Sequence, residues 1–91
     1  MAEAVTLEEA ARFLRVEGAA ERARLAALIP AGLEHVAALW GQVPEAQSPA
    51  PVRLACLYAI AAAWAGEAPD PSQISAWLNP LRTVRTGGRA A

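Results

Sequence analysis

Lysine does not occur in this chain: its eight basic residues are all arginine, set against nine acidic ones for a formal net charge of −1. The choice of arginine carries no mechanistic weight, but the near-neutral balance does. Such a chain has no global field to draw in nucleic acid or an anionic membrane surface. Cysteine is almost missing as well. Cys56 stands alone, so no internal disulfide and no disulfide framework can form. Histidine also occurs once, as His35, which leaves too few imidazole and thiolate donors for a zinc site of the usual kind. No long apolar run is present. Between Arg53 and Glu67 lie twelve apolar residues and Gly66, well short of the roughly 20 that span a bilayer. Met1-Ala2-Glu3 lacks the basic and apolar opening of a secretory signal, so synthesis and folding in the cytoplasm are expected.

What is abundant is alanine. The chain of 91 residues is 55% hydrophobic and only 5% aromatic. Alanine favours helix but contributes little apolar area per residue. A chain of this length makes one domain and buries roughly 60–65% of the surface its unfolded form exposes. The core is therefore modest, and partners that cover remaining apolar surface would add much.

Four helical segments follow from periodicity and caps. Thr6-Leu7-Glu8-Glu9 is a capping box, and Leu7, Ala10, Ala11 and Leu14 share one face behind it, with Gly18 as the expected stop. The second segment runs from about Ala20 to Trp40, with Leu25, Leu28, Ile29, Gly32, Val36, Leu39 and Trp40 in helical register. Pro30 predicts a kink or break within it, and Gly41 its end. Residues 42–51 read as an exposed loop with three prolines. The third helix, from Val52 to about Ala65, is apolar on nearly every side and is expected at the centre, with Leu57 and Ile60 organising the core. Asp70-Pro71-Ser72-Gln73 is a second capping signal. It opens a short helix from about Pro71 to Asn79, with Ile74, Trp77 and Leu78 as its stripe and Pro80 as its end. The expected architecture is all-α: a compact bundle of about four helices over residues 1–81, followed by a flexible arginine-bearing tail over 82–91.

Chemistry is sparse. His35 sits at the edge of an apolar stripe with no nucleophile in view, and Cys56 reads as a small core residue. Glu8 and Glu9 are adjacent and point about 100° apart on a helix, so they cannot face one substrate as a pair. Gly87-Gly88 lacks the strand, spacing and lysine of a phosphate loop. No catalytic residue, cofactor site or metal site is expected, and the chain does not read as an enzyme. Interaction candidates remain. Trp77 is one, because tryptophan is enriched at interface hot spots. Arg82, Arg85 and Arg89 are the others, a local excess of positive charge suited to an acidic partner or DNA.

The order of these segments resembles the head–tail connector family of tailed phages, the short all-helical adaptors that form a ring beneath the portal. Val5-Thr6-Leu7-Glu8-Glu9-Ala10-Ala11-Arg12-Phe13-Leu14-Arg15 resembles the family's capped first helix, "L-E-E-x-x-x-x-L-R". Leu25-Ala26-Ala27-Leu28-Ile29 and Glu34-His35-Val36 resemble its long second helix. Pro51 to Trp64 resembles its third, "P-x-x-V/L-K/R-x-A-x-L-x-x-x-A-x-x-W". Ala76-Trp77-Leu78-Asn79-Pro80-Leu81-Arg82 resembles its closing "L-L-x-P-x-R". The likeness covers residues 5–85. The chain departs from the family pattern at Pro30, within otherwise uninterrupted helix, and at Gly18-Ala19-Ala20, where acidic residues are common.

The resemblance implies a virion protein of the neck between head and tail. Its copies would form a homo-oligomeric ring, twelvefold by the likeness, docked on the portal protein and meeting a stopper or tail-completion protein. DNA would pass through the ring without sequence-specific binding, and no membrane would be involved. Residues 6–16 also resemble the first helix of excisionase-type helix-turn-helix proteins, where a short polar helix follows at once and enters the major groove. A generic helical interaction adaptor is the remaining alternative.

Overall fold

A computed structural model describes the backbone of residues 4–90 and the side chains of residues 4–81. Among the described residues the architecture is all-α: α1 (Leu7–Leu14), α2 (Ala19–Trp40), α3 (Ala50–Trp64) and α4 (Pro71–Ala90), with no β-strand.

The start of α1 is the capping box read from the sequence. Thr6 Oγ1 accepts the N–H of Glu9 at 3.1 Å, and Glu9 Oε1 accepts the N–H of Thr6 at 3.1 Å. Its end differs from expectation, since α1 stops at Leu14 and not at Gly18. Arg15 takes the left-handed conformation (φ 59°), and the N–H of buried Val16 donates back to Ala11 O at 2.9 Å. Folding Val16 inward thus closes the helix three residues early. Gly18, with φ −70°, serves instead as the N-cap of α2.

Helix α2 runs without a break through Pro30. The missing proline N–H leaves the carbonyl of Ala26 without its intrahelical donor. Both residues are exposed, so water is at hand for that carbonyl. At Gly41 (φ 86°) the helix ends as expected, with the Gly41 N–H donating to Ala37 O at 2.8 Å. Gly32 marks the crossing of α2 over α3. A Cβ there would lie 2.5 Å from Ile60 Cγ1 and 3.1 Å from the Ile60 backbone nitrogen, so only glycine lets the two helices approach this closely.

The expected central role of α3 holds on one side. It touches α1, α2 and α4, and Val52, Ala55, Cys56, Ala59 and Ile60 are buried. Its opposite side is only partly covered: Ala50 and Leu54 are exposed, and Leu57, Ala61 and Trp64 are half-buried. Leu57 therefore packs at the margin of the core and does not organise it.

The link to α4 is hydrogen-bonded throughout. Glu67 N donates to Ala62 O at 2.8 Å across Gly66 (φ 78°), and Asp70 Oδ1 accepts the N–H of Ser72 at 3.0 Å. Asp70 N in turn donates to the Tyr58 hydroxyl at 3.1 Å, pinning the start of α4 to α3. Ile74 and Leu78 are buried. Pro80 does not end α4, which continues to Ala90. Pro80 and Ala76, whose carbonyl loses its donor, are both exposed, while Leu78 and Leu81 on either side pack against the core. One lost bond on the solvent side is not enough to stop a helix held by its other face. The flexible tail expected over 82–91 concerns side chains outside the described residues.

The core is built from Leu25, Ile29 and Val36 of α2, the inner face of α3, and Ile74 and Leu78, closed at one end by Val5, Ala10, Ala11 and Val16. It contains no polar or charged residue among those described.

Candidate interaction surface

The groups that could do chemistry are dispersed. Cys56 is fully buried, and burial pushes its thiol up to about 11, so it is protonated and inaccessible at neutral pH. His35 is half-buried on α2, and its Nε2 is buried without a hydrogen-bond partner among the described residues. Glu8 is exposed while Glu9 turns towards α3, so the two carboxylates diverge as their spacing requires. No group of three or more His, Cys, Asp or Glu that could hold a metal occurs among the described residues.

Glu9 and Arg53 form the polar hinge of the surface. Arg53 Nη2 donates to Glu9 Oε2, and Arg53 Nε donates to the carbonyl of Ala4 at 3.2 Å. One guanidinium therefore clasps both the segment entering α1 and the helix itself to the start of α3. The other oxygen of Glu9 is the capping acceptor. The Thr6 N–H on that oxygen holds the Glu9 carboxyl below the usual carboxylate range, Arg53 acts in the same direction, and partial burial opposes both. No other ion pair is formed among the described residues.

Beside this hinge lies a groove of about 490 Å³ lined by Ala50, Pro51, Leu54, Leu57 and Trp77, with Glu9 and Arg53 at its rim. Ala50, Leu54 and Leu57 of the outer side of α3 contribute to its lining. Along that side Ala50, Leu54, Leu57, Ala61 and Trp64 recur at alternating spacings of four and three residues, the periodicity of a helix face that packs against another element. Trp77 of α4 also lines it. It is half-buried and meets the Tyr58 ring edge-on, with centroids 5.3 Å apart at an interplanar angle of 80°. That edge-to-face contact restricts the indole.

Of the four interaction candidates from the sequence, Trp77 thus lies on this surface. The side chains of Arg82, Arg85 and Arg89 lie outside the described residues. The other two tryptophans are half-buried. Trp64 carries the Arg24 guanidinium 4.4 Å above its ring, and Arg24 Nη2 reaches Trp64 O at 3.4 Å.

Sequence reasoning missed both the groove and a second feature, a cleft at the α1–α2 corner where Arg12, Arg15 and Arg22 meet Glu8 and Glu17. For the groove the available signal was the charge-free run of α3, too apolar on both sides for one short chain to cover. The cleft depends on Arg15 taking a left-handed conformation, which its residue type does not announce.

Together these features describe a small all-α domain that carries an apolar groove lined in part by Trp77 on its surface. No helix among the described residues is long and apolar enough to cross a membrane. The chain matches no family model, no curated protein and no solved structure.

Proposed function

We propose that this chain is a head–tail connector subunit of a tailed-phage or related particle, working as a member of a ring beneath the portal and not as a catalyst. The observation that carries the reading joins the sequence likeness to the fold. The segments resembling the connector family fall in order on α1, α2, α3 and α4. The second glutamate of the first motif, Glu9, meets the basic position of the third-helix motif, Arg53. The continuity of α2 through Pro30 also fits the family's long second helix. The partly open outer side of α3 suits a protein completed by assembly, because many weak apolar contacts repeated around a ring act together.

In this reading the ring joins copies side by side, docks on the portal protein, meets a stopper or tail-completion protein on its other side, and encloses the DNA channel. It resides in the neck of the virion. The helix-turn-helix alternative is less well supported. Buried Leu25, Ile29, Gly32 and Val36 run along most of α2, and Arg24, near its start, is engaged by Trp64.

Co-expression with the portal protein of the same genome, followed by electron microscopy of the purified complex, tests the proposal. A ring of added density on the tail side of the portal is expected. A chain that stays off the portal, or one that instead retards short duplex DNA in low salt, would overturn it.

A further inference from the structure

Residues 4–16, which comprise the segment entering α1, α1 itself and its closing turn, are held differently from the other elements. The fully buried leucine and isoleucine side chains, Leu25, Ile60, Ile74 and Leu78, all belong to α2, α3 and α4. Residues 4–16 bury Ala4, Val5, Ala10, Ala11 and Val16 instead, with Leu7 and Leu14 half-buried against the core. Small side chains give up little apolar burial when they leave a core. At eight residues, α1 is also too short to persist as a helix without its packing.

Polar ties are few. Among the described residues, two hydrogen bonds join residues 4–16 to residues 19–81, and Arg53 donates both, one to Ala4 O at 3.2 Å and one to Glu9 Oε2. Arg53 and Glu9 are each more than a third exposed, so water can replace these bonds as they break. Glu17 and Gly18, which lead into α2, are exposed and lie outside any helix. Rotation at Glu17 breaks no backbone hydrogen bond among the described residues. An element with little buried apolar area and solvent-accessible ties opens at lower free energy than the core beside it. We infer that residues 4–16 form a lid that opens as a unit about Glu17-Gly18, ahead of the α2–α3–α4 core, and that Arg53 is its latch. Opening lifts Leu7 from the dent it shares with Ile29 and Leu33 of α2. It also frees Glu9 and Arg53, which both line the groove beside α3. One guanidinium thus links closure of the core's end to the lining of the groove. The inference uses the geometry of the fold and is independent of the connector reading.

Native-state hydrogen exchange of the full-length chain, read amide by amide by NMR at rising sub-denaturing urea, tests it. The amides of Ala10 to Leu14 are expected to exchange together, about tenfold or more faster than those around Ile60. Their dependence on urea is expected to be weaker, because opening the lid exposes less surface than unfolding the chain. Arg53→Gln is expected to speed the α1 amides by about fivefold or more, while those around Ile60 change much less. If that variant does not fold, Arg53→Lys takes its place, since an ammonium cannot reproduce the fixed fork of the guanidinium. Exchange of α1 at the rate and urea dependence of α3 would make the chain one cooperative unit and overturn the lid. Equal acceleration of both regions by the variant, or none in α1, overturns Arg53 as its latch.

Discussion

At the scale of single residues, Gly32 and Ile60 set the distance between the two longest buried faces. Gly32→Ala places a methyl group against Ile60 Cγ1 and its backbone, and overpacking of this kind costs about 1–3 kcal/mol. Ile60 is fully buried, and Ile60→Ala is expected to cost about 2–5 kcal/mol. Leu57 is half-buried at the groove, so Leu57→Ala should cost clearly less. Urea denaturation of the three variants checks the ranking; equal losses at 57 and 60 would mean that the α3 outer side is covered in the isolated chain. Glu9 supplies a pH test. Its carboxyl is held low in the folded chain, first by the Thr6 N–H and then by Arg53. The stability it contributes is therefore complete above the ordinary glutamate range and disappears as pH falls through the lower folded value. The urea midpoint of the wild type should exceed that of Glu9→Gln at pH 7, and the gap should close on acidification. With both side chains more than a third exposed, salt should narrow it too.

At the scale of elements, the prolines within helices make the sharpest prediction. Pro30 removes one hydrogen bond from α2 on its exposed side. Pro30→Ala restores the donor to Ala26 and is expected to stabilise the chain by about 1–3 kcal/mol, read as a higher melting temperature. A fall would show that the proline shapes how α2 lies over α1, where Pro30 lines a shallow apolar dent with Leu7, Ile29 and Leu33. The same two prolines show where the sequence was legible and where it was not. Starts were readable, because caps are local chemistry: Thr6 with Glu9, and Asp70 with Ser72, bond as their spacing requires. Gly41 was readable for the same reason. Stops at Gly18 and Pro80 were misplaced, because tertiary packing decided them: Val16 folds inward before Gly18, and Leu81 packs on the core beyond Pro80. Trp77 stands out in the sequence by residue type alone, and the structure places it in the lining of the groove. Its partners Leu54 and Leu57, and the Glu9–Arg53 pair 44 positions apart in the chain, become neighbours only once α1, α3 and α4 are packed.

At the scale of the whole molecule, the described chain combines an alanine-rich core with a partly open outer side of α3. Alanine supplies Ala4, Ala10, Ala11, Ala55 and Ala59 of the buried set. That allows close helix packing but little burial per residue, so assembly has much to add. The described core includes Leu81, and the last ten positions bring Arg82, Arg85 and Arg89, three of the eight arginines. Removing residues 82–91 leaves every described core contact in place, so the melting temperature of the shortened chain is expected to stay within a few degrees of the full one. Charge-assisted contacts of those arginines with an acidic partner surface would be lost, and incorporation into particles is expected to weaken. A shortened chain that fails to fold would make the end of α4 part of the folding unit. One that folds and assembles normally would reduce the three arginines to solubilising charge. A shortened chain that folds and still fails to enter particles would place a contact needed for assembly in the last ten residues.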